Sequence, residues 1–320
     1  MTRLLVTGAA GFIGSHLAEA LVARGDEVEG IDNFDPFYPR AVKERNLHAL
    51  RASGRFRLHD ANILDTGVVA RAAEGCEVLV HLAAKAGVRP SIQDPAGYAE
   101  TNVAGTASVL AAAQRAGITR VVFGSSSSVY GDATPVPFRE DAAAVDPVSP
   151  YAATKRAGEL LLQALAPLWG FRAAALRFFT VYGPRQRPDL AIHTFARRMA
   201  AGEPITLFGD VAGGRDYTYC DDIVAGVLAA IDWTRTAPVG VMTFNLGSNR
   251  AIPLRDLVDT LASALGTRPT VVYAPPAPGD VRMTCADLSR SRAVLGYEPR
   301  VAFADGIARF VEWFNETHER

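Results

Sequence analysis

Sulfur is scarce in this 320-residue sequence: four methionines and three widely spaced cysteines, Cys76, Cys220 and Cys285. Three distant cysteines make neither a metal-ligand spacing nor a disulfide framework, so they are read as reduced thiols used as buried filler. Charge of one sign is also lacking, with 33 Lys and Arg against 34 Asp and Glu. A formal net charge of −1 gives no global pull toward nucleic acid or an anionic membrane, and leaves a small anion on a local basic patch as the fitting partner. No stretch approaches the ~18 apolar residues of a membrane span, and Met1 to Gly8 run straight into an apolar strand pattern without a signal-peptide core. A cytoplasmic location with no membrane partner is expected. Internal repeats and low-complexity tracts are absent too. With 49% hydrophobic and 21% charged residues, the composition suits a globular chain with a substantial core in two lobes.

Short runs rich in Val, Leu and Ile alternate with helical patterns up to about residue 180. Strands are expected at Leu4–Thr7, Val28–Asp32, Phe56–His59, Val78–Leu82, Arg120–Ser125 and Arg172–Phe178. Helices are expected at Ser15–Arg24, Ala99–Ala116 and Tyr151–Leu165, each ending near Gly or Pro. Apolar strands alternating with helices imply a parallel sheet covered on both faces, an α/β, Rossmann-like, doubly wound fold. Beyond Phe179 the rhythm breaks into turns such as Gly183-Pro184 and Gly213-Gly214. The expected division is residues 1–179 for a dinucleotide lobe and 180–320 for a smaller α/β substrate lobe, with a strand at Met242–Leu246 returning to the main sheet.

Gly8, Gly11 and Gly14 lie between the first strand and the first helix, where backbone amides at a helix N-terminus can face a pyrophosphate. The next strand delivers Asp32 to its end, where a carboxylate accepts both hydroxyls of an adenosine ribose and repels a 2′-phosphate. Asn33 rather than Arg follows, so NAD is the expected cofactor. Asn62 and Ile63 are placed beside the adenine. Leu82, Ala83, Ala84 and Lys85 end the fourth strand, which brings the lysine toward ribose or phosphate. Phe12, Ile13, Asn102 and Phe178 complete the expected cofactor set.

Tyr151 and Lys155 share one face of a helix that begins after Pro150. A phenol titrating near 10 takes a proton at neutral pH only if nearby positive charge stabilises the phenolate, and Lys155 with an oxidised nicotinamide is expected to supply it. The preceding strand ends in Ser125-Ser126-Ser127-Ser128, whose hydroxyls can bridge substrate and phenol. Asp221-Asp222 open a helical pattern and are read as capping and dipole partners rather than metal ligands. His81 and His193 are read as structural.

The glycine turn, Asp32, the serine run before Val129-Tyr130-Gly131, and Tyr151-x-x-x-Lys155 resemble the extended short-chain dehydrogenases/reductases over nearly the whole chain. Leu176 to Pro184, followed by Arg187-Pro-Asp189, and Gly30 to Asn33 before Phe37-Tyr38, look most like UDP-glucuronate 4-epimerases within that superfamily. The resemblance implies a cytoplasmic isomerase that binds NAD and a UDP-sugar and pairs as a homodimer through the helices at Ala99–Ala116 and Tyr151–Leu165. It also implies that the catalytic hydroxyl lies four residues before Tyr130, at Ser126, with Ser127 and Ser128 as alternates. Related dehydratases and decarboxylases hold carboxylates in the region of Ser127-Ser128, and serines there argue for epimerisation over elimination.

For the substrate, Thr180 and Arg187 are candidates to hold a sugar carboxylate, because a guanidinium offers a two-pronged donor fork. The sequence departs from the resembled pattern at Gly183-Pro-Arg-Gln-Arg-Pro-Asp189, which makes Arg185 a rival to Arg187. Arg215 matches the superfamily's phosphate-binding arginine, Arg282 is a second candidate for the diphosphate, and Arg89 completes the substrate set. Other UDP-hexose epimerisation, decarboxylation or dehydration, and a silent NAD sensor are the competing readings.

Overall fold

Four consecutive residues of Val78–His81 are fully buried, as are most of Arg3–Thr7 and Arg172–Phe178. Strands with no solvent face must be covered on both sides, and alternate residues do enter two separate cores. Leu4, Val6, Val78, Val80 and Val122 point to one, while Leu5, Leu79, Val121 and Phe123 point to the other. The computed structural model describes residues 1–209, 213–275 and 281–318.

Seven strands make the central sheet: β1 (Arg3–Thr7), β2 (Glu27–Asp32), β3 (Phe56–Asp60), β4 (Val78–His81), β5 (Arg120–Ser126), β6 (Arg172–Phe178) and, later in the chain, β10 (Gly240–Leu246). Their order is β10-β6-β5-β4-β1-β2-β3 and every pairing is parallel. This is the expected doubly wound sheet. Strand β10 lies beside β6 at the edge, with Gly240 opposite Arg172 and Leu246 opposite Phe178. Between β6 and β10 come β7 (Thr180–Tyr182), β8 (Ile205–Phe208) and β9 (Gly214–Tyr219). Strands β11 (Ala251–Pro253) and β12 (Val271–Ala274) follow, giving two small sheets, β11-β9-β7 and β12-β8, in the C-terminal half.

All three expected helices differ in their bounds, the first running over Phe12–Ala23 rather than Ser15–Arg24. The stretch expected as Ala99–Ala116 is a short helix at Pro95–Ala99, a π-helical turn at Glu100–Ala104 and a helix at Gly105–Arg115. The wider turn aims Asn102 inward to bond Lys85 and Thr154, a local break that an apolar periodicity does not signal. The helix expected at Tyr151–Leu165 extends over Pro150–Trp169. Ser149 caps its start by accepting the Ala152 N–H, Pro150 takes the first turn, and left-handed Gly170 stops it.

A buried carboxylate binds that helix to the sheet. Glu159 accepts two parallel bonds from Arg177 of β6, both 2.9 Å, one from Ser125 of β5 at 2.6 Å and one from Arg156 at 2.9 Å. The Arg177 guanidinium also lies 4.6 Å over the Tyr130 ring. Removing one partner strands the other charge in the core. Arg177→Met is therefore expected to lower unfolding stability by about 3–5 kcal/mol, with much of the loss recovered in the Glu159→Leu/Arg177→Met double variant. Urea titration measures both.

Candidate active site

Parallel strands deliver their carboxyl ends to one edge of the sheet, and a cavity of about 1490 Å³ opens there. Strand β1 leads into Gly8, whose φ of +72° lies in the left-handed region and whose missing Cβ would meet the Ala83 backbone nitrogen at 2.9 Å. A Cβ on Gly14 would overlap the Gly8 carbonyl oxygen. The turn can therefore be built only from glycine at these points, and it places Gly8, Gly11, Phe12, Ile13 and Gly14 in the cavity wall at the start of the Phe12–Ala23 helix. At the end of β2, Asp32 accepts the Ala10 N–H at 3.1 Å and the Phe34 N–H at 2.8 Å, with the Lys43 ammonium 3.6 Å away. Asn33, Asn62, Ile63 and Phe178 also line the cavity. These residues fit a dinucleotide: an amide-rich glycine turn and, one strand over, a carboxylate that the surrounding N–H groups hold in place.

The end of β4 is positioned by a relay of neutral groups. Ala83 N–H donates to Thr7 Oγ1 at 3.1 Å, Thr7 Oγ1 bonds His81 Nδ1 at 2.7 Å, His81 Nε2 bonds Thr106 Oγ1 at 3.0 Å, and Thr106 Oγ1 donates to the Asn102 carbonyl at 2.6 Å. Burial pushes the His81 imidazole down to about 3, so it stays uncharged and serves the scaffold. Leu82, Ala83, Ala84 and Lys85 face the cavity, with the Lys85 ammonium 2.8 Å from Asp94. Asn102 does not line it. Its side chain accepts the Lys85 N–H at 2.8 Å and donates to the Lys85 carbonyl at 2.9 Å and to Thr154 Oγ1 at 3.0 Å, so it ties the end of β4 to the Pro150–Trp169 helix from behind.

Both Tyr151 and Lys155 reach the cavity, and Ser126, which also lines it, is near enough to the Tyr151 phenol to lower its pKa. Ser126 Oγ in turn donates to Ser128 Oγ and accepts the Ser128 N–H, each at 3.2 Å. Ser125 is committed to Glu159, and Ser126, Ser127 and Ser128 stand beside it in the wall. Desolvation raises the Tyr151 phenol, while Ser126 and the Arg187 charge oppose the rise. Lys155 spends its ammonium on the Gly124 carbonyl at 2.7 Å, 5.3 Å over the Phe123 ring, and burial pushes it down to about 8 despite Glu159. The spacing that suggested a Tyr-Lys pair brings both groups to the cavity, where Arg187 adds a further positive charge that lowers the phenol.

The rival arginines separate. Arg185, with φ +64°, turns away from the cavity toward the Phe12–Ala23 helix and pairs with Glu19 at 2.8 Å. Arg187 and Thr180 line the cavity, and the Arg187 guanidinium lies 5.5 Å from the Phe37 ring centre and pairs with Asp189 at 2.8 Å. Arg89, Arg215 and Arg282 line the cavity as well. Arg215 donates to the Arg282 carbonyl at 3.1 Å, and Arg89 lies 4.8 Å over the Phe208 ring. Cavity residues absent from the sequence-based set include Lys43, Asp189, Arg198 and Phe208. The doublet Arg197-Arg198 before a strand was a usable signal for one of them; the others carry none apart from the fold.

A family model described as the NAD dependent epimerase/dehydratase family matches residues 4–247. A UDP-glucuronate 4-epimerase of Thermodesulfobacterium geofontis is 36% identical over 322 residues, covering 100% of this chain and 98% of that protein. The crystal structure of Bacillus cereus UDP-glucuronic acid 4-epimerase in complex with UDP-glucuronic acid and NAD is similar with a TM-score of 0.93 at 35% identity, covering 99% of this chain and 100% of the other. Thermotoga maritima UDP-glucose 4-epimerase with UDP-glucose has a TM-score of 0.89 at 32% identity, with 99% and 100% covered.

The depressed Lys155 has a stability consequence. A base whose folded value lies below its unfolded value makes the unfolded chain bind more protons between the two, so stability rises with pH across that window. Lys155→Met should abolish turnover yet raise unfolding stability at pH 7 by about 1–3 kcal/mol, the gain fading as pH climbs from about 8 toward the ordinary lysine range. Denaturant titrations of both proteins at pH 7 and 10 measure the difference.

Proposed function

The chain belongs to the NAD dependent epimerase/dehydratase family, and from that premise we propose that it inverts C4 of UDP-glucuronate to give UDP-galacturonate through a 4-keto intermediate. One observation carries the substrate: a guanidinium, Arg187, shares a cavity with Ser126 and Tyr151, where a C5 carboxylate would need a cation. Held by the glycine turn and Asp32, NAD would supply a reversible hydride acceptor for C4.

The protein's own groups do the rest. Tyr151, as phenolate, takes the C4 hydroxyl proton through or beside Ser126 and gives it back after the ring has turned. Arg187 lowers the cost of that phenolate. Gly8, Gly11, Gly14 and Asp32 hold the cofactor, Arg215 and Arg282 hold the diphosphate, and Thr180 with Arg187 receives the carboxylate. The firm grip is thus on the nucleotide and the loose one on the sugar, as inversion requires. The intermediate is a β-keto acid, and loss of carbon dioxide would move the carboxylate's electrons into the ring. The carboxylate resists that movement while it is ion-paired, before and after the ring turns, and the serines at 127 and 128 offer no general acid for elimination.

In the same reading, residues 1–179 with β10 form the NAD lobe, and most of residues 180–320 form the nucleotide-sugar lobe. No helix among the described residues is long and apolar enough to cross a membrane. We place the enzyme in the cytoplasm as a homodimer joined by the helices at Gly105–Arg115 and Pro150–Trp169, the second of which exposes Leu160 and Leu168. Proton NMR of the purified protein with UDP-glucuronate and no added NAD tests the activity. UDP-galacturonate is expected as the main product. UDP-xylose or a 4-keto pentose would overturn the role given to Ser127 and Ser128, and unchanged UDP-glucuronate even after NAD is added would overturn the substrate.

A further inference from the structure

A planar guanidinium meets a carboxylate best along one edge, through two parallel bonds. On Arg187 that edge is already taken: Nε donates to Asp189 Oδ1 at 3.0 Å and Nη2 to Asp189 Oδ2 at 2.8 Å. Both side chains line the same cavity and are only partly exposed, 18% for Arg187 and 32% for Asp189. The pair sits within electrostatic reach of the Tyr151 phenol, and the Arg187 guanidinium is fixed against the Phe37 ring. An i, i+2 pair of this kind can be mere turn chemistry ahead of the Ala191–Ala200 helix. Its place in the cavity wall, against the groups that meet the sugar, gives it another use.

We propose that Asp189 is a specificity-determining residue that exchanges with the substrate's carboxylate on Arg187, letting the sugar be gripped and released within each turnover. The proposal rests on the reading that Arg187 receives that carboxylate. Inversion at C4 requires the ring to present first one face and then the other, so the C5 carboxylate must leave its partner while the nucleotide stays anchored. Leaving would strand Arg187 in a half-buried wall. Asp189 lies two residues away and can take the vacated edge, so the cation stays paired while the ring turns and after product leaves. The backbone around the pair is held, with Leu190 N–H on the Arg187 carbonyl at 3.2 Å and Thr194 Oγ1 on the Pro188 carbonyl at 3.1 Å. Exchange then needs only side-chain rotation of a partly exposed aspartate. An uncharged sugar cannot displace Asp189, so the same pair discriminates against a substrate that carries a hydroxymethyl group at C5.

The test is steady-state kinetics of the NAD-bound enzyme as wild type, Asp189→Asn, Asp189→Ser and Arg187→Gln, with UDP as a competitive inhibitor that carries no carboxylate. When a site is mostly in a closed form, apparent affinity falls by the open fraction, so removing the competitor should lower KM for UDP-glucuronate roughly tenfold. The tighter grip must then slow turning or release, and kcat should fall several-fold, while inhibition by UDP stays unchanged. A KM that fails to drop, or a kcat that does not fall with it, in both aspartate variants overturns the proposal. So does loss of the folded state in both, which would make the pair structural. Arg187→Gln reports on the underlying reading: if it leaves KM for UDP-glucuronate unchanged, Arg187 is not the carboxylate's partner, whatever the aspartate variants do.

Discussion

Parallel pairing is the constraint from which the rest of this structure follows. In-register neighbours such as Thr7 with His81, His81 with Phe123 and Ser126 with Phe178 bring the carboxyl ends of the strands to one edge. Residues distant in sequence meet there: the glycine turn after β1, Asp32 after β2, Leu82 to Lys85 after β4, the serines of β5 and Thr180 just beyond β6. No long-range side-chain interaction is needed to assemble the site, because the register does it. The polar contacts then refine position, as when Glu159 joins the Pro150–Trp169 helix to β5 and β6 and so sets where Lys155 and Tyr151 stand.

Positions whose chemistry is dictated by local backbone were the ones legible from sequence. Gly8 and Gly14 have to be glycine because a Cβ would strike neighbouring backbone, and Ser149-Pro150 announce a helix start through capping and a preset φ. Early strands such as Arg3–Thr7 and Val78–His81 were readable from burial on both faces, which leaves uninterrupted apolar runs, whereas the edge strand Phe56–Asp60 has no fully buried residue. What was not legible depends on side chains choosing among partners in three dimensions. Arg185 and Arg187 are indistinguishable as letters, yet a left-handed backbone at Arg185 sends it to Glu19 while Arg187 enters the cavity. Asn102 looks like a cofactor contact and instead clamps the backbone of Lys85, because a π-helical turn aims it there.

Two cations stand at the site in different settings. Lys155 is buried against the Gly124 carbonyl, whereas Arg187 lies in the cavity wall paired with Asp189. In the proposed reaction Arg187 would both meet the substrate's carboxylate and ease formation of the Tyr151 phenolate, so discrimination and proton transfer would share a residue.

In the proposed reaction the hydrogen removed from C4 is returned to the same carbon from the opposite side, within a site that never releases the intermediate. Its most direct test is conversion of UDP-glucuronate carrying deuterium at C4, in ordinary water, followed by proton NMR of the product. Inversion by hydride removal and return predicts UDP-galacturonate with the C4 proton signal missing and no deuterium lost to solvent. Appearance of a C4 proton, or of deuterium elsewhere in the sugar, would contradict the account.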